Sequence, residues 1–327
     1  MQMRMAILGA GGIASTMAQT IAPLEEVESY AVASRNIDNA KTFADKWGFQ
    51  KAYGDYEEML ADDKIDLVYI AVPHSHHHEW VIKSLNAGKN VLCEKPLSVN
   101  EKLAQEMFAL AENKKLLLTE AMWSRYMPSA KIIKELVDGG EIGEITDVYS
   151  NVGFRIDNVP RLLNPELAGG CLLDLTVYSL SFSAMILGTD FKKISASMIP
   201  TNTGVDGKNT VMIEYADGKM AAMSATIYAL TDRSGLICGR DGFISVQNII
   251  NPEKIIVYGA DREKLDVKKE ISLPKQITGY EYEVLACKKA LEEGRIECTE
   301  MPHSETLAIL EQTDEIRRQF GIVYPFE

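Results

Sequence analysis

The sequence predicts an α/β domain with a doubly wound parallel sheet, followed by an α+β domain with a large, open, mostly antiparallel sheet. Its 327 residues suit two domains, at roughly 100–200 residues per domain. The first third alternates short apolar runs with helical patterns, and after about residue 123 the pattern changes to strands joined by turn signals. We therefore expect domains at 1–122 and 123–327, with the C-terminal helix able to pack back on the first domain.

Five apolar runs in the first domain predict buried parallel strands, because strands covered on both faces need not alternate apolar and polar residues. These runs are Met3–Leu8, Tyr30–Ala33, Leu67–Val72, Asn90–Cys93 and Leu116–Thr119. The helical patterns between them lie near 13–22, 38–46, 77–87 and 100–113. Asn100 followed by Glu101 is typical of a helix start. This βαβαβ order predicts the parallel sheet.

The second domain combines strands with helices in an order that favours antiparallel pairing. The predicted strands are 145–155, 193–199, 209–215, 219–228, 242–248 and 253–258. Tight-turn signals at Ala216–Gly218 and Arg240–Gly242 join neighbouring strands. The accompanying helices are predicted near 128–138, 174–187, 279–292 and 304–319. The sequence shows no repeat and no low-complexity linker.

Composition and charge limit the classes of partner and the compartment. With 34 basic and 47 acidic residues the net charge is −13, and an acidic surface disfavours nucleic acid and anionic membranes as partners. The five cysteines include no CxxC pair, which is typical of reduced thiols. The predicted first strand begins within a few residues of Met1, so we expect no N-terminal signal, and we expect no apolar run long enough to span a bilayer. We expect a cytoplasmic protein.

A glycine-rich stretch follows the first strand and opens the first helix. Residues Gly9, Gly11, Gly12, Ile13 and Ala14 form the pattern GxGxxA. In a Rossmann domain, the first glycine allows the tight turn, the second lets the backbone approach a pyrophosphate, and the third small residue packs the helix on the strand. The helix N-terminus then binds the phosphates. Because strand and helix flank the motif as required, a dinucleotide site is favoured over a structural loop.

The second strand ends at Ser34 and Arg35, where NAD-binding domains usually carry an acid for the ribose 2′-hydroxyl. An acid would repel a 2′-phosphate, whereas a serine and an arginine would bind one. The alternative is that Arg35 is an ordinary surface arginine. The missing acid favours NADP(H) as the cofactor.

The predicted fifth strand runs into Glu94, Lys95 and Pro96 at the sheet edge where ligands bind in doubly wound folds. Taken alone, a lysine after a strand is usually solvated. However, the stretches Gly9–Ala14, Val72–His77 and Leu85–Pro96 resemble the Gfo/Idh/MocA oxidoreductases. Glu120–Pro128 and Asn164–Asp174 are similar more specifically to the dihydrodiol dehydrogenase branch of that family, which is related to glucose–fructose oxidoreductase.

This resemblance implies a set of roles and a dimer built on the open sheet. It implies that Lys95 belongs to the catalytic motif and that Asp174 and its helix face the nicotinamide. Where inositol dehydrogenases carry a histidine four residues after the aspartate, this chain has Tyr178, which puts a cyclitol substrate in doubt. Further cofactor contacts are expected from Pro73, His74, His77, Glu94 and Trp123.

The spacing of Asp174 and Tyr178 agrees, because residues four apart share one face of a helix that is otherwise largely apolar. The alternatives are an N-cap for Asp174 after two glycines and a core role for Tyr178. We expect Tyr178 to move the proton while the charge of Lys95 lowers its pKa. Which of the two donates the proton stays open. Asp174 would orient the substrate hydroxyl or the lysine.

The histidines and three further side chains complete the candidates. Four of the five histidines, His74, His76, His77 and His78, crowd one turn. A metal site there is disfavoured because adjacent side chains point in different directions and no cysteine or carboxylate has zinc spacing. We expect no metal. Trp123, Arg125 and Phe154 are candidate walls of a substrate cleft, and interdomain packing is the alternative for Trp123 and Arg125.

The expected function is hydride transfer between NADP(H) and the carbinol or carbonyl carbon of a sugar, a dihydrodiol or a small dicarbonyl. We expect no arm before the first strand and therefore a cofactor that exchanges with solvent. The rival hypothesis is a non-catalytic dinucleotide sensor of the same fold, since fold does not decide function. The joint presence of Lys95, Asp174 and Tyr178 favours the enzyme.

Overall fold

The computed structural model describes residues 2–327, which form two compact units. The first contains the chain up to Tyr126 together with Gln276–Leu307, and the second contains Met127–Lys275 together with Ala308–Glu327. The sequence patterns predicted one boundary after residue 122. In the structure the chain leaves the first unit after Tyr126 and returns to it with Gln276–Leu307, after the second sheet is complete.

The first unit is built on six parallel strands in the order β3-β2-β1-β4-β5-β6. The strands are β1 (Met3–Leu8), β2 (Val27–Ala33), β3 (Lys51–Tyr53), β4 (Leu67–Ile70), β5 (Asn90–Glu94) and β6 (Leu118–Ala121). Every residue of β4 is buried, as expected for a strand covered on both faces. The predicted doubly wound sheet is confirmed, with its order reversing between β1 and β4. Ligands bind at such a switch point, beyond the carboxyl ends of the strands.

Helices connect these strands: α1 (Gly12–Ile21), α2 (Ile37–Trp47), α3 (Tyr56–Leu60), α4 (His77–Asn86) and α5 (Glu101–Lys114). Asn100 caps α5 as predicted, because its Oδ1 accepts a hydrogen bond from the Leu103 N–H at 2.9 Å. The sequence patterns did not predict β3 and α3. These elements span only three and five residues, too few for a periodic pattern to show.

The second unit contains eight strands in the order β14-β13-β12-β11-β7-β10-β9-β8. They are β7 (Ile145–Gly153), β8 (Phe191–Pro200), β9 (Asp206–Tyr215), β10 (Met220–Thr226), β11 (Gly235–Gly239), β12 (Gly242–Gln247), β13 (Lys254–Gly259) and β14 (Val267–Ser272). Only β7 and β10 pair in parallel, so the predicted mostly antiparallel sheet is confirmed. Two strands were not predicted: β11, which is short and bounded by glycines, and β14, an exposed polar edge strand.

Two helices accompany this sheet, α6 (Pro128–Asp138) and α7 (Val177–Leu187), and α8 (Glu281–Glu292) and α9 (His303–Phe320) follow. A π-helical turn, Leu172–Thr176, leads directly into α7. Pro165–Leu187 is long and apolar enough to cross a membrane, with mean hydropathy 1.6, so the expectation that no run reaches that length was wrong. Its apolar window is 83% buried inside the protein. That burial is typical of the core helix of a folded protein.

Candidate functional site

The loop between β1 and α1 requires a glycine at its first position. Gly9 has φ +112°, in a region that residues with a side chain rarely adopt. A Cβ at Gly9 would also lie 2.6 Å from the Ala71 carbonyl oxygen, just beyond β4. Gly9 therefore lets the end of β1 approach the end of β4, as the sequence predicts for the tight turn.

The next two glycines leave open space at the start of α1. A Cβ at Gly11 or Gly12 would meet no atom within 4 Å. No side chain caps the helix, and its first turn carries no acidic residue. Backbone N–H groups and the helix dipole attract anions at such an end. Ala14, in the first turn of α1, is fully buried. This loop and helix start fit the pyrophosphate of a dinucleotide.

Ser34 and Arg35 follow β2 directly, and Arg35 is exposed. The Ser34 hydroxyl accepts a hydrogen bond from the Asn36 N–H at 3.4 Å. Arg35 also lies near the Tyr56 hydroxyl: burial raises the pKa of Tyr56, and the Arg35 charge opposes that rise. The first acid beyond β2 is Asp38, in the first turn of α2. An exposed guanidinium at this strand end can pair with a phosphate.

His77 joins the loops that follow β4 and β5. Its Nδ1 lies 2.8 Å from the Pro96 carbonyl oxygen and its Nε2 lies 3.0 Å from the Val72 carbonyl oxygen. The ring is fully buried, and burial lowers the pKa of His77 to about 4 although both carbonyls oppose this. His74 packs edge-on against it, with ring centres 5.6 Å apart. His77 thus supports the loop that carries Lys95, and Pro73, which precedes His74, is half-buried.

Lys95 is half-buried and lies close to two buried carboxylates. Glu94 accepts hydrogen bonds from the Tyr69 hydroxyl and, at 3.2 Å, from the Lys95 backbone N–H. Glu120 accepts from the Leu97 N–H at 3.0 Å. Burial raises the pKa of Glu120, and the positive charge of Lys95 opposes that rise. Lys95 thus lies in the part of the first unit that holds these two buried carboxyl groups.

Two predicted cleft residues have close partners within the first unit. The Trp123 ring stacks on Tyr280 at 4.2 Å with an interplanar angle of 6°. Arg125 makes a bidentate ion pair with Glu305, with Nη2 and Oε2 2.9 Å apart. Their side chains are only 11% and 17% exposed. The pair holds the first turn of α9 to the segment after β6, a packing role inside the first unit that the sequence patterns did not indicate.

In the second unit, Asp174 lies inside the π-helical turn and is 5% exposed. Its Oδ1 accepts hydrogen bonds from Nη1 and Nη2 of Arg161 at 3.1 and 3.0 Å. Helical residues begin at Cys171, so Asp174 is not an N-cap. Tyr178, 8% exposed, lies four residues later in the first turn of α7. π-Helical turns are frequent at functional sites because they redirect side chains out of the regular helical spacing.

Phe154 follows β7 and is half-buried, with the Arg233 guanidinium 5.1 Å from its ring centre. Sequence reasoning missed Arg161, Glu120, Tyr69 and Tyr280 as partners of the candidate residues. Only Glu120 had a signal, because it lies in the stretch Glu120–Pro128 that carries the family resemblance. Within residues 2–327, no group of three or more histidine, cysteine or carboxylate side chains is arranged to hold a metal ion.

The fold and these residues define a class, a two-unit dinucleotide-dependent oxidoreductase, and the comparison with family models agrees. Residues 3–122 match the oxidoreductase family with an NAD-binding Rossmann fold, and residues 131–245 match the GFO/IDH/MocA C-terminal domain. The chain belongs to the Gfo/Idh/MocA oxidoreductase family. The resemblance that its motifs indicate is therefore confirmed.

Curated relatives match over almost the whole chain. Trans-1,2-dihydrobenzene-1,2-diol dehydrogenase of Danio rerio is 33% identical, covering 99% of this chain and 98% of the relative. The enzyme of the same name from Homo sapiens is 31% identical, covering 99% of both. These relatives are named dehydrogenases, so the chain is an NAD(P)-dependent oxidoreductase, and the sensor alternative loses its support.

Solved structures show the same fold. A 3-ketoreductase from Actinomadura kijaniata, in complex with NADP and TDP-benzene, superposes with a TM-score of 0.87 at 23% identity, covering 97% of this chain and 98% of that one. A levoglucosan dehydrogenase in complex with NADH gives a TM-score of 0.86 at 19% identity, covering 98% and 97%. One neighbour holds NADP and the other NADH, so the shared fold leaves the choice between the two cofactors to local residues.

Proposed function

We propose that this protein transfers a hydride between NADP(H) and the carbinol or carbonyl carbon of a small polyol, such as a sugar or a dihydrodiol, or of a small dicarbonyl. The observation that carries the proposal is the uncapped start of α1, where Gly11 and Gly12 leave room for a pyrophosphate. The names of the curated relatives support a diol or its carbonyl product as the substrate class.

Three side chains are assigned to the chemistry. Bound nicotinamide supplies or accepts the hydride. In the direction of carbonyl reduction, Tyr178 donates its hydroxyl proton to the carbonyl oxygen as the carbinol forms, and Lys95 stabilises the resulting phenolate or donates the proton itself. Asp174 orients the substrate hydroxyl, and Arg161 holds its carboxylate in place. Trp123, Arg125 and Phe154 remain candidate substrate contacts.

NADP(H) rather than NAD(H) is the proposed cofactor. The support is an exposed arginine directly after β2, in a position where an acid would serve NAD. Arg35→Ala should weaken NADP binding by about 1.5–3 kcal/mol, the scale of a hydrogen bond to a charged group, and leave NAD binding nearly unchanged. Lys41→Ala, which removes another exposed cation from the neighbouring helix α2, is the control. Equal losses for both cofactors would show that Arg35 does not contact the 2′-phosphate.

We further propose a cytoplasmic homodimer or higher oligomer that forms on the eight-stranded sheet. Tyr149 and Ile199 are 44% and 53% exposed. The register pairs Tyr149 with Ala222, Ala222 with Met212 and Met212 with Ser195, so Tyr149 and Ile199 lie on one face. Exposed apolar residues on a sheet face favour a protein partner. Light scattering that shows only the 36.3 kDa chain at micromolar concentration would contradict the oligomer, and cell fractionation tests the compartment.

The test of the chemistry is turnover of Tyr178→Phe and Lys95→Met, measured as NADPH oxidation with a panel of aldoses, diketones and hydroxyketones. Tyr178→Phe keeps the ring and its packing and removes only the hydroxyl. General acid–base assistance is worth about 10²–10⁴-fold, so turnover should fall by that order while NADPH affinity stays within a few-fold. Lys95→Met should do at least as much damage, because it removes the charge that tunes the tyrosine.

Two outcomes would overturn the assignment. Nearly full turnover of Tyr178→Phe, under conditions where chemistry limits the rate, makes Tyr178 a packing residue and leaves the proton to Lys95 or Asp174. Full turnover of Lys95→Met as well shows that the whole assignment is wrong. NADPH binding, followed by fluorescence, serves as the control for folding in both variants.

A further inference from the structure

Asp206, the first residue of β9, is a fully buried carboxylate that contacts the start of the helix carrying Asp174. Its Oδ2 accepts a hydrogen bond from the Leu172 backbone N–H at 2.8 Å and another from the Asn209 amide at 2.7 Å. Burying a carboxylate costs free energy unless hydrogen bonds compensate for the lost water. The sequence patterns gave this residue no role.

The same network reaches the other end of the π-helical turn. Asn209 Oδ1 accepts a hydrogen bond from the Thr176 hydroxyl at 3.0 Å. The first and last residues of the turn, Leu172 and Thr176, are thus both fixed to β9, and Asp174 lies midway between them.

The loop that enters the turn is fitted to the same carboxylate. Gly170 has φ +119°, and a Cβ there would lie 2.3 Å from Asp206 Oδ1. On the other side, the Tyr324 hydroxyl donates a hydrogen bond to the Gly169 carbonyl at 3.0 Å. Asp206 therefore lies so close to the loop that position 170 requires glycine.

We propose that Asp206 is a positioning residue for the reaction: from β9 it holds the π-helical turn so that Asp174 and, four residues later, Tyr178 keep their catalytic orientation. The inference rests on the proposed function, because it assigns no role to Asp206 unless Asp174 and Tyr178 act on the substrate. It also gives a role to a hydrogen-bond network of buried polar side chains.

Two substitutions of Asp206 separate hydrogen bonding from charge. Asp206→Asn keeps one oxygen as the acceptor for Leu172 and Asn209, whereas Asp206→Ala removes both acceptors. A displacement of about 1 Å can cost about 10²-fold in rate. We therefore expect kcat of Asp206→Ala to fall about 10- to 100-fold, with KM for NADPH unchanged. Asp206→Asn should recover most of kcat. Equal losses in both variants would overturn the positioning role.

Thr176 supplies a milder pair of variants in case Asp206→Ala fails to fold. Thr176→Val keeps the shape of the side chain but removes the hydroxyl group that donates a hydrogen bond to Asn209. Thr176→Ser keeps that hydroxyl group. We expect kcat of Thr176→Val to fall several-fold with KM for NADPH unchanged, and Thr176→Ser to restore it. Wild-type kcat in Thr176→Val would contradict the proposal, whatever happens to Asp206→Ala.

Tyr178→Phe, measured in the same assay, distinguishes this inference from the proposed function. Loss of turnover in Tyr178→Phe with full turnover in folded Asp206→Ala would reject the positioning role and leave the function standing. Full turnover in both Tyr178→Phe and Lys95→Met would reject the catalytic assignment, and the positioning role would fall with it. Loss in Tyr178→Phe and Asp206→Ala, with rescue in Asp206→Asn, is the result we expect.

Discussion

The loop Gly9–Gly12 and the turn Leu172–Thr176 both open a helix at a candidate site, yet they are built in opposite ways. The glycine loop presents backbone: it has no side-chain cap, and Gly11 and Gly12 have free space above them. The π-helical turn presents a carboxylate, and hydrogen bonds from elsewhere in the second unit hold it. The first can accept a ligand as folded, whereas the second depends on its supports.

This difference predicts which kind of substitution will disrupt the glycine loop and which will disrupt the π-helical turn. In the glycine loop, an added methyl group is enough to obstruct a ligand or the chain itself. In the turn, removal of a distant partner such as Asp206 should matter more than a change of shape at the surface. Changes in the free energy of unfolding, measured by urea denaturation, test this comparison region by region.

The largest effect is expected from the pH dependence of Asp206. Burial raises the pKa of Asp206 to about 7, against about 3.9 in an unfolded chain. Between these values the native state binds the extra proton, so the unfolding free energy falls as pH rises through the window. At about 1.36 kcal/mol per pH unit, the loss reaches about 4 kcal/mol above pH 7.

The asparagine side chain in Asp206→Asn cannot ionise, so this variant should lack the fall in unfolding free energy that comes from Asp206. Urea unfolding at pH 5 and pH 8 should show a larger loss in the wild type than in Asp206→Asn. Asp45→Asn, which exchanges an exposed carboxylate on α2, should behave like the wild type. The same pH dependence in all three proteins would mean that Asp206 stays ionised throughout and that the turn tolerates its charge.

The next effect compares two glycines of the loop. Gly9→Ala should lower the unfolding free energy by about 1–3 kcal/mol, the cost of a strained backbone region, because φ is +112° and the new Cβ meets a carbonyl oxygen. Gly11→Ala should cost less than about 1 kcal/mol, the range for a poorer N-cap, and should weaken NADPH binding instead. An equal loss of stability in both variants would show that Gly11 also has a structural role.

Periodicity predicted most of the fold because long elements repeat a signal. The strand Met3–Leu8 has the predicted bounds, and α6 spans Pro128–Asp138 as expected. The missed elements lack such a repeat: β3 has three residues, and β14 has almost no buried side chain to give an alternating pattern. The π-helical turn could not be foreseen either, since its extra residue per turn depends on tertiary contacts.

The glycine loop was predictable for a related reason, because its residues are neighbours in sequence and their spacing reports their geometry. The supports of Asp174 are not neighbours. Arg161 lies 13 residues before it, and Asp206 lies 34 residues after Leu172, the residue whose N–H it accepts. A side chain that acts through a fold-dependent contact leaves no spacing to interpret, so both were missed until the sheet brought them to the turn.

The smallest stability effect is expected at Arg161. The π-helical turn has an outer support, the half-exposed Arg161, and an inner support, the buried Asp206. A substitution of Arg161 tests whether these two supports differ. The Arg161 side chain is 44% exposed, whereas Asp174 is 7% exposed. Partly exposed ion pairs contribute about 0–1 kcal/mol, so Arg161→Lys should leave the unfolding free energy almost unchanged. Lysine keeps the charge but cannot reproduce the two guanidinium contacts, so turnover should still fall several-fold.

A loss of stability above about 2 kcal/mol in Arg161→Lys would place the Arg161–Asp174 pair in the class of buried ion pairs. Arg161 and Asp206 would then support the turn in the same way, and the distinction between its outer and inner supports would be wrong.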